Sequence, residues 1–267
     1  AFNNYTAGCG HAFATSSGFP ASWQNRRAFV CGPTGHLLGM YDVERKGSGF
    51  ESTNAFSLVA SADEWFSPIV AEVGPDGYLW FADWYNFIIQ HNPTPNVTRG
   101  GYDALRGLGN AHINPNRDRK HGRIYRLVYE KTKDAKMDLH RVNTLTLVNA
   151  LEHRNMFWRL TAQRLLVDGN RQDAVSKLLK LLDQPAPVSV HALWVLHGLG
   201  ALDPESQLKC LISRDPALRR NAIRAIPHNL EGQKMLYDSA VLADKDLLVR
   251  LDAFVKLASF ELDEGIR

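Results

Sequence analysis

Cysteine is scarce in this chain, with three in 267 residues, at positions 9, 31 and 210. Thiols scattered in this way lack the paired spacing of a zinc site, so no metal centre of that kind is expected. The Cys-x-x-Cys-His haem-attachment motif is also missing, which excludes covalent haem c through it in this chain. No apolar run approaches the roughly 20 residues of a membrane-crossing helix, so no transmembrane segment is expected. Neither sign of charge dominates: 31 basic against 28 acidic side chains leave a formal +3. Bulk charge therefore lends nothing to nucleic-acid binding. An EF-hand pattern is absent, and Arg106-Gly-Leu-Gly-Asn-Ala is no dinucleotide fingerprint, because His112 stands where the third glycine belongs. The chain starts at Ala rather than Met, and part of something longer is expected.

What is present is an ordinary globular composition, 45% hydrophobic and 22% charged, unevenly distributed. Residues 1–130 hold 20 of the 26 aromatics and 15 of the 20 glycines. Aromatic, glycine-punctuated sequence suits short strands and turns, and the Leu-, Ala- and Arg-rich remainder suits helices. A β domain over 1–130, a charged linker over 131–142 and an α-helical domain over 143–267 are expected. Strands are predicted at Arg27–Gly32, His36–Val43, Phe50–Ala60, Ser67–Val73, Tyr78–Asp83 and Gly122–Tyr129, with turns at Gly32-Pro-Thr-Gly35 and Gly74-Pro-Asp-Gly77. Short antiparallel strands at this spacing indicate a sandwich, a barrel or propeller blades. The second part repeats: its segments align on Ala162, Ala192, Ala222 and Ala253, at intervals of 30, 30 and 31 residues. A small residue there lets helices approach closely, and Arg159, Arg220 and Arg250 mark a common phase. Stacked helix pairs in a HEAT-like α-solenoid are expected.

Five ordered stretches carry a resemblance: Phe29-Val-Cys-Gly-Pro-Thr-Gly-His36, Ser61-Ala-Asp-Glu-Trp-Phe-Ser-Pro68, Gly74-Pro-Asp-Gly-Tyr-Leu-Trp-Phe-Ala-Asp-Trp-Tyr-Asn86, His91-Asn-Pro-Thr-Pro95 and Arg117-Asp-Arg-Lys-His-Gly-Arg-Ile-Tyr-Arg126. With the helical repeats, they make the chain similar to the large secreted bacterial proteins known as membrane-bound dehydrogenase-like or PVC-type haem-binding proteins. That resemblance implies a six-bladed β-propeller akin to quinone-dependent sugar dehydrogenases, then HEAT repeats, usually then cytochrome c. Some 130 residues can hold only the C-terminal two to three blades of such a propeller, at roughly 40 to 50 residues per blade. The implied function is a fragment of a periplasmic or extracellular bacterial oxidoreductase acting on a sugar or polyol. Its electrons would pass to a cytochrome c domain outside this chain, and the remaining blades would come from the parent protein or another chain. Pyrroloquinoline quinone (PQQ) is the cofactor so implied.

Candidate site residues gather around one loop-like insertion of 38 residues between Asp83 and Gly122. His91, with Asp83 and Tyr85, is the expected catalytic group, because oxidation of a hydroxyl needs a base to take its proton. Arg117, Arg123 and Trp65 are expected to hold a cofactor or substrate, since guanidinium grips carboxylate or quinone oxygen bidentately and an indole face suits a ring. Glu72 and Asp76 are candidate calcium ligands. The competing structural reading makes Asp83 a turn cap, the Arg117–Arg126 stretch a set of ion pairs, and the histidines solvated. Cys9 and Cys31 are expected to form a disulfide, in keeping with a secreted family. Cys210 is expected to be an inert buried thiol. The rival functional readings are a carbohydrate- or protein-binding scaffold without catalysis, and a structural component of a larger cell-surface complex.

Overall fold

The computed structural model describes residues 8–86, 96–99, 118, 120–131 and 137–261. The chain falls into two compact units, one of Ala1–Glu44 with Ser52–Asp134 and one of Arg45–Glu51 with Ala135–Arg267.

The strands, which lie in the first unit apart from the ends of β3 and β4 that meet at Arg45–Glu51, are β1 (Cys9–Phe13), β2 (Arg27–Gly32), β3 (Leu37–Lys46), β4 (Gly49–Ala60), β5 (Pro68–Val73), β6 (Leu79–Asp83) and β7 (Arg123–Leu127). They form two open sheets, one in the order β1-β2-β3-β4 and one in the order β5-β6-β7. The β1–β2–β3 and β5–β6–β7 pairings are antiparallel. Six strands lie where β-branched and aromatic runs between turn residues predict them. The seventh, β1, escapes that reading because its sequence CGHAF is short and interrupted by glycine.

Gly10 explains how β1 is placed. The β1–β2 register slips between Cys9 and His11, and the β5–β6 register slips between Pro68 and Val70. The two irregularities face each other: a Cβ on Gly10 would lie 2.2 Å from the Ile69 carbonyl oxygen and 2.4 Å from the Val70 Cα. Gly10 also has φ +49, a left-handed conformation that costs an L side chain about 1–2 kcal/mol. Below this contact the two sheets share one core, in which Phe29, Leu38, Met40 and Leu79 are fully buried beside Phe66, Ala71 and Phe81.

The second unit carries α1 (Thr144–Ala150), α2 (Met156–Asp168), α3 (Val175–Leu181), α4 (Val188–Gly198), α5 (Pro204–Leu211), α6 (Pro216–Arg224), α7 (Leu230–Asp238) and α8 (Leu247–Glu261). Side-chain oxygens of Asn143, Asn155, Asp203, Asp215 and Asn229 accept from free N–H groups at the starts of α1, α2, α5, α6 and α7. Such caps contribute about 1 kcal/mol each. The four aligned alanines are fully buried where α2, α4, α6 and α8 pack in succession. The counterpart of Arg159 is Arg219, not Arg220. Arg159 donates to the carbonyls of His153 and Arg154, and Arg219 donates in the same way to those of Ser213 and Arg214. None of the helices among the described residues is long and apolar enough to cross a membrane.

The expected fold class is corrected. Among the described residues no propeller closes, and the second sheet has three strands where a blade has four. The helical repeat also differs from a HEAT unit of roughly 40 to 47 residues with two full helices. Its period is 30, and α1 and α3 have only seven residues each. In place of the C-terminal blades of a six-bladed propeller followed by a HEAT-like solenoid, the described residues form two small open antiparallel sheets and a unit of eight helices.

Two predictions follow from the packing. Gly10→Ala should destabilise the first unit by at least about 2 kcal/mol, through backbone strain and overpacking together, read as a lower urea midpoint by tryptophan fluorescence. The other concerns His191, whose Nε2 accepts from Arg159 Nε at 3.1 Å while Nδ1 donates to Gln163 Oε1 at 2.7 Å. Burial, with the Arg159 charge adding to it, pulls this imidazole down to about 4 from 6.5. The unfolded chain therefore binds a proton between those values that the folded one refuses, so stability falls as pH drops from about 6.5 to about 4 and then levels. The loss attributable to this group is about 3 kcal/mol at most. Urea unfolding of wild type and His191→Gln across that range checks it, the variant losing this part of the pH dependence.

Candidate functional site

The site is built on the end of β6, where the strand stops at Asp83. Cross-strand register sets Asp83 opposite Pro68 on one side and Arg123 on the other. The Asp83 side chain is wholly buried. Its Oδ1 accepts from the backbone N–H of Ser67 at 2.7 Å and of Tyr85 at 2.8 Å, and its Oδ2 receives Arg123 Nη1 at 3.4 Å. The bond to the residue two positions on turns the chain locally, and Tyr85 takes the left-handed conformation with φ +53. Trp84 N–H donates to the Ser67 carbonyl at 2.8 Å and Ser67 Oγ to the Asn86 carbonyl at 2.7 Å, closing the corner.

On this corner three flat groups pile up. The Arg123 guanidinium lies 3.9 Å from the centre of the Tyr85 ring, and Trp65 stacks on Tyr85 with centroids 5.7 Å apart. Arg123 Nη1 also reaches Asp63 Oδ2 at 3.4 Å. His121 meets the Tyr85 ring edge-on at 6.1 Å, and its Nδ1 is 2.6 Å from Asp118 Oδ2. The hydrogen bond from His121, joined by backbone N–H groups of Lys120 and His121, holds the Asp118 carboxyl down to about 2. Below the stack, Phe66, Phe81 and Tyr125 form an aromatic floor with centroids 5.1 to 6.2 Å apart.

Four of the expected site residues, Trp65, Asp83, Tyr85 and Arg123, are thus brought together. Asp83 holds the corner: two backbone donors and a guanidinium occupy its carboxylate, as the turn-cap reading has it. His91 and Arg117 lie outside the described residues. Asp63, Asp118 and His121 also join the cluster; Asp63 and Asp118 were given no role by sequence reasoning, and only the fold brings His121 to the Tyr85 ring. Cys9 and Cys31, the pair expected to form a bridge, are register partners across β1 and β2 and are free thiols in this structure. The arginines of α6 form no open basic patch, because Arg219 pairs with Asp244, and Arg220 and Arg224 with Asp252.

Among the described residues, the carboxylates of Asp63 and Asp83 share the guanidinium of Arg123. For calcium, Asp76 is occupied by Trp80 Nε1 at 2.9 Å and Arg126 Nη1 at 3.3 Å, and no group of three His, Cys, Asp or Glu side chains able to hold a metal occurs among the described residues.

In class, this is a surface site of stacked aromatics and carboxylates at the open end of a small sheet. The family described as "Domain of unknown function (DUF7133)" matches residues 1–131, so the chain is similar to it over the unit that holds the site. No curated protein matches the chain.

Removing the buried carboxylate tests the corner. Asp83→Ala leaves two backbone donors and Arg123 without their acceptor and should destabilise the unit by about 3 kcal/mol. A lowered urea midpoint, with loss of the near-ultraviolet circular dichroism of the Trp65–Tyr85 stack, would show it.

Proposed function

We propose that the first unit binds a neutral polyhydroxylated ring, of the sugar or polyol class, at the Arg123–Tyr85–Trp65 stack. The observation that carries this reading is the rim of that stack. There the Asp63 side chain is 40% exposed, Arg123 41% and His121 69%, so acceptors and donors surround an aromatic surface. Trp84, next along the chain, is 41% exposed and adds apolar surface. Sugars combine weakly polar C–H faces with hydroxyls that both donate and accept. Asp63 accepts hydroxyl protons, Arg123 donates to hydroxyl oxygens, and the rigid corner under Tyr85 keeps the groups in place.

The test is titration of the protein with glucose, sorbitol and a β-1,4-linked glucan oligosaccharide, followed by tryptophan fluorescence and NMR shifts. Saturable shifts with at least one probe are expected. Asp63→Ala and His121→Ala should each weaken binding by about tenfold, the loss of one hydrogen bond to a charged or polar partner. No response to any probe at millimolar concentration, or unchanged affinity in both variants, would overturn the reading.

One observation favours a second reading, oxidation of the bound polyol with its hydride passing to a quinone cofactor, within a periplasmic or secreted oxidoreductase whose cytochrome c domain lies outside this chain. The Asp118 carboxylate engages His121 Nδ1 and so orients the ring, which makes Nε2 the nitrogen to take a hydroxyl proton. Dye-linked dehydrogenase activity of the natively purified protein, abolished in His121→Ala, distinguishes this reading from binding alone.

A further inference from the structure

Cys9 and Cys31 have a use that the site above does not explain. They are register partners across the antiparallel pair β1–β2, so their Cα atoms face each other directly. Directly opposed residues in such a pair have Cα atoms roughly 4.5 to 5.5 Å apart, inside the range of about 4.4 to 6.8 Å that a disulfide spans. Both are free thiols, and Cys9 Sγ lies 3.9 Å from the Pro68 carbonyl oxygen of β5. Cys31 is fully buried, whereas Cys9 is half-buried. Cys210 belongs to the other unit, so Cys9 and Cys31 are the only thiols in theirs.

We propose that Cys9 and Cys31 are a redox pair that closes reversibly into a cross-strand disulfide and staples β1 to β2 beside the Gly10 contact with β5. With a disulfide oxidant such as oxidised glutathione, the exposed partner reacts first. The Cys9 thiolate attacks one glutathione sulfur, and a glutathione thiolate leaves. Cys31, deprotonated, then attacks the Cys9 sulfur and expels the second glutathione. Two S–H bonds are lost, one S–S bond forms within the protein, and one oxidised glutathione becomes two reduced ones. Burial opposes the second step, pushing the Cys31 thiol up to about 12 with the neighbouring Cys9 adding to it. Closing a loop of this length restricts the unfolded chain most, and the unfolded fraction at fixed denaturant should fall about a hundredfold on oxidation.

The experiment equilibrates the full chain, natively folded, across a series of reduced-to-oxidised glutathione ratios and traps free thiols with N-ethylmaleimide. Peptide mapping without reduction follows. The expected result is a Cys9–Cys31 linked peptide that appears and disappears with the ratio, with Cys210 alkylated throughout once the chain is unfolded. The urea midpoint should rise in the oxidised form, and Cys9→Ser should show neither link nor rise. Persistence of both thiols at every ratio, a link formed only in denaturant, or cross-linking to Cys210 or between chains would each overturn the proposal. If Cys9→Ser fails to fold, the wild-type peptide map alone decides.

Discussion

The buried carboxylate of Asp83 is the constraint on which the surface of the first unit rests. A carboxylate without water must find donors, and here β6 ends just where the N–H groups of Ser67 and Tyr85 and the guanidinium of Arg123 converge. Meeting that demand turns the chain sharply enough to put Tyr85 in a left-handed conformation. The turned tyrosine then packs against both Trp65 and Arg123. The stack is thus a consequence of satisfying one charge.

Arg123 is shared between Asp63 and Asp83, so one guanidinium ties the rim of the cluster to its buried anchor. Asp118 anchors the imidazole of His121 at the edge of the Tyr85 ring.

In the helical unit the repeated device is an arginine buried against the carbonyls five and six residues before it. Arg159 and Arg219 both do this, and their remaining donors go to different partners, His191 in one case and Asp244 in the other. With a neutral imidazole as partner, Arg159 makes its neighbourhood sensitive to acid. The carboxylate of Asp244 instead gives Arg219 an ion pair.

Much was legible in the sequence because it depends on local chemistry. Six strands follow from β-branched and aromatic runs between turn residues, and the buried alanines follow from the 30-residue spacing. Trp65, Asp83, Tyr85 and Arg123 could be picked out as polar and aromatic groups near one insertion. The propeller could not be settled that way, because strand count per sheet and closure depend on pairing between distant segments. Strand β1 was hidden for a related reason: Gly10 makes sense only against the β5 backbone. By itself the sequence determined element types, the uneven division of the chain and the absence of a haem-attachment motif, all of which are read within short windows. Only the tertiary structure decided that Asp83 is a buried anchor, that Asp118 and His121 join the stack, and that Cys9 faces Cys31. Those are contacts between residues far apart in the chain, and no local pattern encodes their distance.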